Sequence, residues 1–423
     1  MNEAGAGARL VTLDGLRGLA VMGILLMNVN AFAMPFAAYD DPAAFGPMRW
    51  PDVALWATEF VLIDGKLRAI FSALFGASLL LVADRAEAAG RSAARLSYAR
   101  LLTLALFGLL HAWLLWAGDI LVLYALVGLV AVPLRRLPVE RLLVLAAMLF
   151  LFQAAILGLH YQALAAAGAV ALAPDAPAAA QALWRQINDA LGHPSPAALA
   201  ADIALHRGPW VRLAASRAAD LLGLEQTDLL FSGPETLGLM LLGMAGLRSG
   251  FLAGSWSSAQ YRRWALRFYA LGLPPLLVLA GLLVGWRFPP LTTAFLTDLG
   301  AMPGRWLVAI AHAALLVGWL TGPLSRLKAR VVAAGRMAFS NYLGTSLLMT
   351  ALFDGWGLGL YGRLERWWLL GPTLAMWLLM LGWSAPWLAC FHHGPLEWAW
   401  RSLARARPAP FRRGAIARRY QSH

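Results

Sequence analysis

A chain of 423 residues that is 60% hydrophobic and only 13% charged falls well below the roughly 25% charge of soluble domains. It reads as all-α, a polytopic membrane helix bundle. The net charge of +13 would suggest nucleic acid as partner of a soluble chain, but here the arginines sit between hydrophobic segments, so topology explains them and no nucleic acid is expected. The single cysteine, Cys390, excludes an intrachain disulfide and a cysteine-based metal site, and no metal is expected.

The chain begins with a stretch that imitates a cleaved signal peptide, with Arg9 and Arg17, the apolar run Gly18–Met27 and Ala31-Phe32-Ala33. The apolar run continues to about Met34, long enough to cross a bilayer, and is taken as helix one (Leu16–Met34). Asp14 and Arg17 at its entry share one helical face as an i,i+3 pair. Asn28 and Asn30 lie deeper, where an amide must find a partner in a neighbouring helix. Val53–Ile63 is apolar but short, either interfacial or the outer start of helix two (Leu67–Ala83). Asp64, Lys66 and Arg68 lead into that helix, either snorkelling or lining a polar pocket.

A basic Ala-rich loop, Arg85–Arg100, precedes helix three, RLLTLALFGLLHAWLLWAGDIL, which carries His111 halfway along. Helix four (Asp119–Val132) returns after a tight turn, and helix five spans Leu142 to about Leu159. The segment His160–Thr227, rich in Ala and Pro, reads as a small helical cap. Helix six (Leu229–Leu247) contains Glu235, and its glycines permit close helix approach. Helices seven (Trp264–Val284), eight (Trp306–Leu320, with His312), nine (Met337–Phe353, opening with Ser340-Asn341-Tyr342) and ten (Trp367–Leu388) follow. The tail from Phe391 is basic and expected to be partly disordered. The domains are thus 1–159 and 228–390, two membrane bundles, with 160–227 as the cap and 391–423 as the tail.

Ten helices place both termini on one side. Of the 35 Lys and Arg, 24 fall on that side and 11 on the other, which predicts cytoplasmic termini in a bacterial inner membrane and an outer 160–227 segment. Asn28 and His111 then lie eleven residues beyond Arg17 and Arg100, roughly 16 Å in and near the midplane. Ionisable groups at that depth are functional candidates by default. Asp119 is expected to cap helix four or line an entrance, because eight residues of continuous helix would hold it roughly 12 Å from His111. His312 is expected to pack between helices, and His392-His393 to be interfacial.

The segments LDGLRGLAVMGILLMNV, FSALFG and LLHAWLLWAGDILVLYALVGL, with LGLMLLGMAGLRSGFL, GRMAFSNYLGTSLL and FHHGPLEWAWRSL, resemble the YeiB-like bacterial inner-membrane family and its C-terminal domain of unknown function. The likeness covers the chain except for 160–227 and the tail. The N-terminal half is similar to a wider group of transmembrane acyltransferases that includes the lysosomal heparan glucosaminide acetyltransferase and bacterial glycan O-acyltransferases. That resemblance implies an acyl group taken from cytoplasmic acyl-CoA and passed, through a histidine, to an extracytoplasmic glycan or lipid-linked acceptor. The histidine of those enzymes usually lies near the end of the first helix, where this chain has Asn28 and Asn30, so the role falls to His111.

The expected sites follow. His111, Asn28 and Asp119 are catalytic candidates, with a neutral histidine as base and an asparagine as oxyanion donor. Asp64, Lys66, Arg68, His312 and Asn341 are candidates for substrate contact. Asp14, Arg17, Arg100, Arg248 and Arg336 are candidates for acyl-CoA contact, with arginines such as Arg100, Arg248 and Arg336 holding its phosphates. No tightly bound cofactor is expected; membrane lipid and a second copy of the chain are compatible partners. The other functional class the sequence supports is a transporter or exporter of a small organic anion or lipid, using the same midplane groups; the missing internal repeat speaks against it.

Overall fold

The computed structural model describes residues 3–192, 194–323 and 325–413, with residues 3–10 as backbone only. The described residues form helices and no strand, and eight helical stretches among them are long and apolar enough to cross a membrane. In chain order the helices are α1 (Glu3–Ala33), α2 (Trp50–Leu62), α3 (Lys66–Ala88), α4 (Ala93–Leu114), α5 (Leu121–Leu134), α6 (Val139–Ala171), α7 (Ala178–Ala190) and α8 (Pro196–His206). They continue as α9 (Trp210–Arg248), α10 (Ser258–Trp286), α11 (Pro290–Phe295), α12 (Met302–Leu320), α13 (Arg326–Arg336), α14 (Ala338–Phe353), α15 (Leu370–Cys390) and α16 (Pro395–Ala404). The chain is a multi-pass membrane protein. α5 and α14 are shorter than the eight long stretches, at 14 and 16 residues.

The centre of the bundle is the crossing of α3 and α9, which small residues make possible. A Cβ on Gly243 would stand 1.7 Å from the Ala73 carbonyl oxygen, and one on Gly76 would stand 2.0 Å from that of Met240. Any side chain at either position would drive the helices apart. α1 runs through the same core beside α3, α13 and α14.

Pro234 lies inside α9 and disturbs the bond that Glu235 N–H would make to the Phe231 carbonyl. The buried Gln153 of α6 is inserted there. Its Nε2 donates to Phe231 O at 2.5 Å and its Oε1 accepts from Glu235 N at 3.3 Å. An amide side chain thereby satisfies both backbone groups where lipid could not.

The structure refines three expectations. The cap is smaller than 160–227, because α6 continues to Ala171 and α9 already begins at Trp210, leaving α7 and α8 between them. Alanine-rich sequence propagates a helix past the apolar limit until a breaker intervenes, here Pro174 after α6, while Pro177 and Pro196 open α7 and α8. Val53–Ile63 belongs with the next helix to one candidate membrane span, Trp50–Ala88. It lies in α2, a separate helix packed on α10 and α12 residues and divided from α3 by Gly65 at φ +68°. The tail is folded as far as residue 413, and the rest of it lies outside the described residues. Phe391 bridges Arg412, His392 N–H donates to Phe411 O at 3.0 Å, and Trp398 Nε1 donates to Ala409 O at 2.8 Å. Two buried-to-half-buried aromatics, Trp387 and Phe391, stack at 4.3 Å beneath this turn and supply the apolar anchor that charge counting overlooks.

Candidate functional site

His111 and Asp119 meet. His111 Nδ1 lies 2.6 Å from Asp119 Oδ1, and both side chains are fully buried. The expected 12 Å separation assumed continuous helix, but α4 ends at Leu114, where the Leu115 and Trp116 N–H groups both return to the His111 carbonyl. The chain then doubles back and carries Asp119 to the ring. Gly108, one turn before His111, admits it: a Cβ there would stand 2.9 Å from Asp119 Oδ2 and 2.7 Å from Val122 N. The capping role expected of Asp119 also holds, since its Oδ2 accepts from Val122 N at 2.9 Å in the first turn of α5. One carboxylate therefore anchors a helix start and orients an imidazole.

With Nδ1–H donated to a carboxylate, the other ring nitrogen is an acceptor. His111 Nε2 is buried and has no hydrogen-bond partner. Two rings flank it. Trp116 lies 6.3 Å away and stacks on Phe32 of α1 at 4.1 Å, and Tyr342 of α14 lies at 5.3 Å.

Tyr342 is also a wall of a cavity of about 440 Å³ between α1, α3, α4, α5, α13, α14 and α16. Its inner part is apolar, with Phe71, Phe75, Leu79, Leu104, Leu121 and Tyr124. Its mouth carries Arg17, Arg85, Arg100, Arg336 and Arg401, opposed by two carboxylates, Asp14 and Glu397. Both acids are already engaged. Asp14 pairs with Arg17 at 2.8 Å, as the i,i+3 spacing predicted. Glu397 reaches from α16 to cap α14, accepting from Phe339 N at 2.8 Å and Ser340 N at 3.0 Å. The mouth is thus short of negative charge. Its effect is visible on His393, which burial first and Arg401 next push down to about 4. Burial and then Arg405 likewise hold Arg401 below its usual range.

Four of the five candidates for acyl-CoA contact, Asp14, Arg17, Arg100 and Arg336, line this cavity. Arg248 does not. Its guanidinium is spent on the carbonyls of Leu137 and Arg135, closing the α5–α6 turn. The sequence reading missed Arg85, Tyr342, Glu397, Trp400 and Arg401. The last three lie in α16, inside the quoted FHHGPLEWAWRSL. Trp400 holds the mouth in shape, with Nε1 on the Arg100 carbonyl at 2.8 Å and its ring 4.2 Å under the Arg100 guanidinium. The alternation of apolar and charged residues on that short helix was the available signal.

The other candidates are internal fasteners. Arg68 forms a 2.6 Å pair with Glu235, whose second oxygen accepts from Trp306 Nε1 at 2.7 Å. Lys66 is buried with its ammonium on the Phe60 carbonyl. Asp64 accepts from Tyr39 at 3.3 Å. His312 has both nitrogens occupied, by Tyr269 Oη at 2.6 Å and Leu62 O at 2.7 Å, the packing role expected of it. Asn341 donates to Ala334 O and Ser384 Oγ and accepts from Trp383 Nε1, which leaves nothing for an oxyanion. Asn28 borders a space of about 10 Å³ on the far side of Tyr342 from the main cavity. Asn30 instead donates to the buried Glu59, itself paired with Arg366 at 3.1 Å.

A family described as "Protein of unknown function (DUF418)" matches residues 247–407. The "Uncharacterized protein YeiB" of Escherichia coli K12 is 34% identical over 406 residues, covering 93% of this chain and 96% of its own length. The "Uncharacterized protein YxaH" of Bacillus subtilis 168 is 28% identical, covering 93% and 94%. No solved structure matches. The chain belongs to the YeiB-like family.

Proposed function

We propose that this member of the YeiB-like family is a membrane-embedded acyltransferase that takes an acyl group from acyl-CoA and passes it to a hydroxyl on a glycan or lipid-linked acceptor. The observation that carries this reading is the pairing of a buried His111–Asp119 dyad, its Nε2 unengaged, with a cavity whose mouth is arginine-rich and whose interior is apolar. The arginines suit the phosphates of the donor, which demand charge-assisted and bidentate contacts. Under the positive-inside rule that mouth and both termini face the cytoplasm of a bacterial inner membrane.

Length supports the same donor. Phe71, Phe75, Ser78, Val82 and Arg85 line one face of α3, and the fourteen residues from first to last rise roughly 21 Å. The arm of CoA from pyrophosphate to sulfur is about thirteen bonds, roughly 16 Å when extended at about 1.2 Å per bond. Phosphates held at the arginines would bring the thioester to the inner end, beside Tyr342. His111, which does not itself line the cavity but lies 5.3 Å ring to ring from Tyr342 at its inner end, would take the proton of the acceptor hydroxyl through Nε2 as the hydroxyl oxygen attacks the thioester carbonyl. The C–O bond forms, the C–S bond breaks, and the proton passes to the departing thiolate, releasing CoA–SH. Asp119 holds the ring in the productive tautomer and stabilises the transient imidazolium.

The test is thiol release from acetyl-CoA by detergent-purified protein supplied with a membrane glycolipid extract, wild type beside His111→Asn. Acceptor-dependent release that disappears in the variant, with its unfolding midpoint kept, is the expected result. Normal turnover by the variant would remove the histidine from the mechanism. Solute uptake by proteoliposomes that ignored acyl-CoA would put transport in its place.

A further inference from the structure

We infer that Tyr342 sets the size of the acyl group: its ring closes the inner end of the cavity and restricts the donor to short chains. The inference rests on the acyl-CoA reading and adds the substrate class within it.

Tyr342 stands at a boundary. It borders the large cavity on one side and, on the other, the pocket of about 10 Å³ that contains Asn28, Thr345 and Ser346. That second space is at the lower limit for a single water. Nothing larger enters it while the ring is in place. Tyr342 is 8% exposed, and its ring lies 5.3 Å from that of His111. Its ring, not its hydroxyl, fills the partition between the two spaces.

The length comparison supplies the size. About 16 Å of donor arm in a slot of roughly 21 Å leaves roughly 5 Å, about four bonds at 1.2 Å each. Acetyl to butyryl groups fit between the sulfur and the ring. An octanoyl group does not, unless Tyr342 is removed and the Asn28 pocket joins the cavity.

Binding of non-transferable CoA thioethers tests this without knowledge of the acceptor. Kd is measured by calorimetry for CoA, S-ethyl-CoA and S-octyl-CoA on wild type, Tyr342→Phe and Tyr342→Ala, with Tyr342→Leu in reserve should the alanine variant unfold. Wild type and Tyr342→Phe are expected to bind S-ethyl-CoA at least about ten-fold more tightly than S-octyl-CoA. Tyr342→Ala is expected to close that gap or reverse it, and Tyr342→Leu to narrow it, with CoA itself bound equally by all. If CoA binds but wild type takes the octyl compound equally well, or the smaller side chains leave the ratio unchanged, the inference falls and the acyl-CoA reading stands. If CoA does not bind wild type at all, both fall.

Discussion

Two sets of buried polar residues occupy this bundle, and they differ in whether their hydrogen bonds close. Around α3, α9 and α12, Arg68, Glu235 and Trp306 form a closed knot, with Gln153 repairing the backbone beside it. Around α4, α5 and α14, the dyad leaves His111 Nε2 unengaged, and five arginines face two carboxylates that are already committed. Both sets look equally suspicious in an apolar sequence. Depth in the membrane alone does not separate them; unfinished valence beside a cavity does. Unpartnered buried atoms also occur beside the knot, at Arg305 Nε and Thr236 Oγ1, so it is the adjacency of the dyad to the arginine-lined cavity that sets the second group apart.

The sharpest way to break the contrast is to strike each set once. His111→Asn is expected to lower acyl transfer by about 10²- to 10⁴-fold with little change in unfolding midpoint, the usual scale for a lost general base. Glu235→Ala is expected to do the opposite, costing about 3–5 kcal/mol of stability by stranding the Arg68 charge, read from denaturant unfolding in detergent. A Glu235→Ala protein as stable as wild type would show that the knot is not a fastener.

A smaller effect separates the arginines. Arg100→Ala is expected to weaken CoA binding about ten-fold, a loss of about 1.4 kcal/mol on the scale of a charged hydrogen bond. Arg248→Ala, on the carbonyls of a distant turn, is expected to leave the affinity within about two-fold. Equal losses at both would remove the cavity mouth as the binding place.

The smallest is a pH effect. His393 sits at about 4 in the free protein because burial and Arg401 oppose its protonation. A bound polyphosphate offsets that repulsion and raises it, so the complex takes up a proton between about pH 4 and the ordinary histidine range. Affinity should therefore gain a few-fold as pH falls through that window, relative to His393→Ala measured alongside, which cancels the titration of the phosphates themselves. Parallel pH profiles for the two proteins would exclude His393 from the anion's surroundings.

Membrane class, the helical character of the apolar segments and the Asp14–Arg17 pair were legible in the sequence, because hydropathy and helical rise are local and additive along the chain. The glycines of FSGPETLGLMLLGMAG showed that a helix could come close there, but not which one. Other features were not. Whether Arg68 lined a pocket or met Glu235, 167 residues away, depends on which helices cross, and lipid offers no periodic pattern that encodes partners. The role of α16 was hidden because its Glu397 and Trp400 act on α14 and α4, not on their own neighbours.

The sequence by itself determined that His111 lies in an apolar helix and that Asp119 follows eight residues later. Only the tertiary structure decided that they touch. The helix stops at Leu114, and Gly108 gives the returning strand of chain room to lay a carboxylate against the imidazole. Spacing along a chain fixes distance only while the helix lasts.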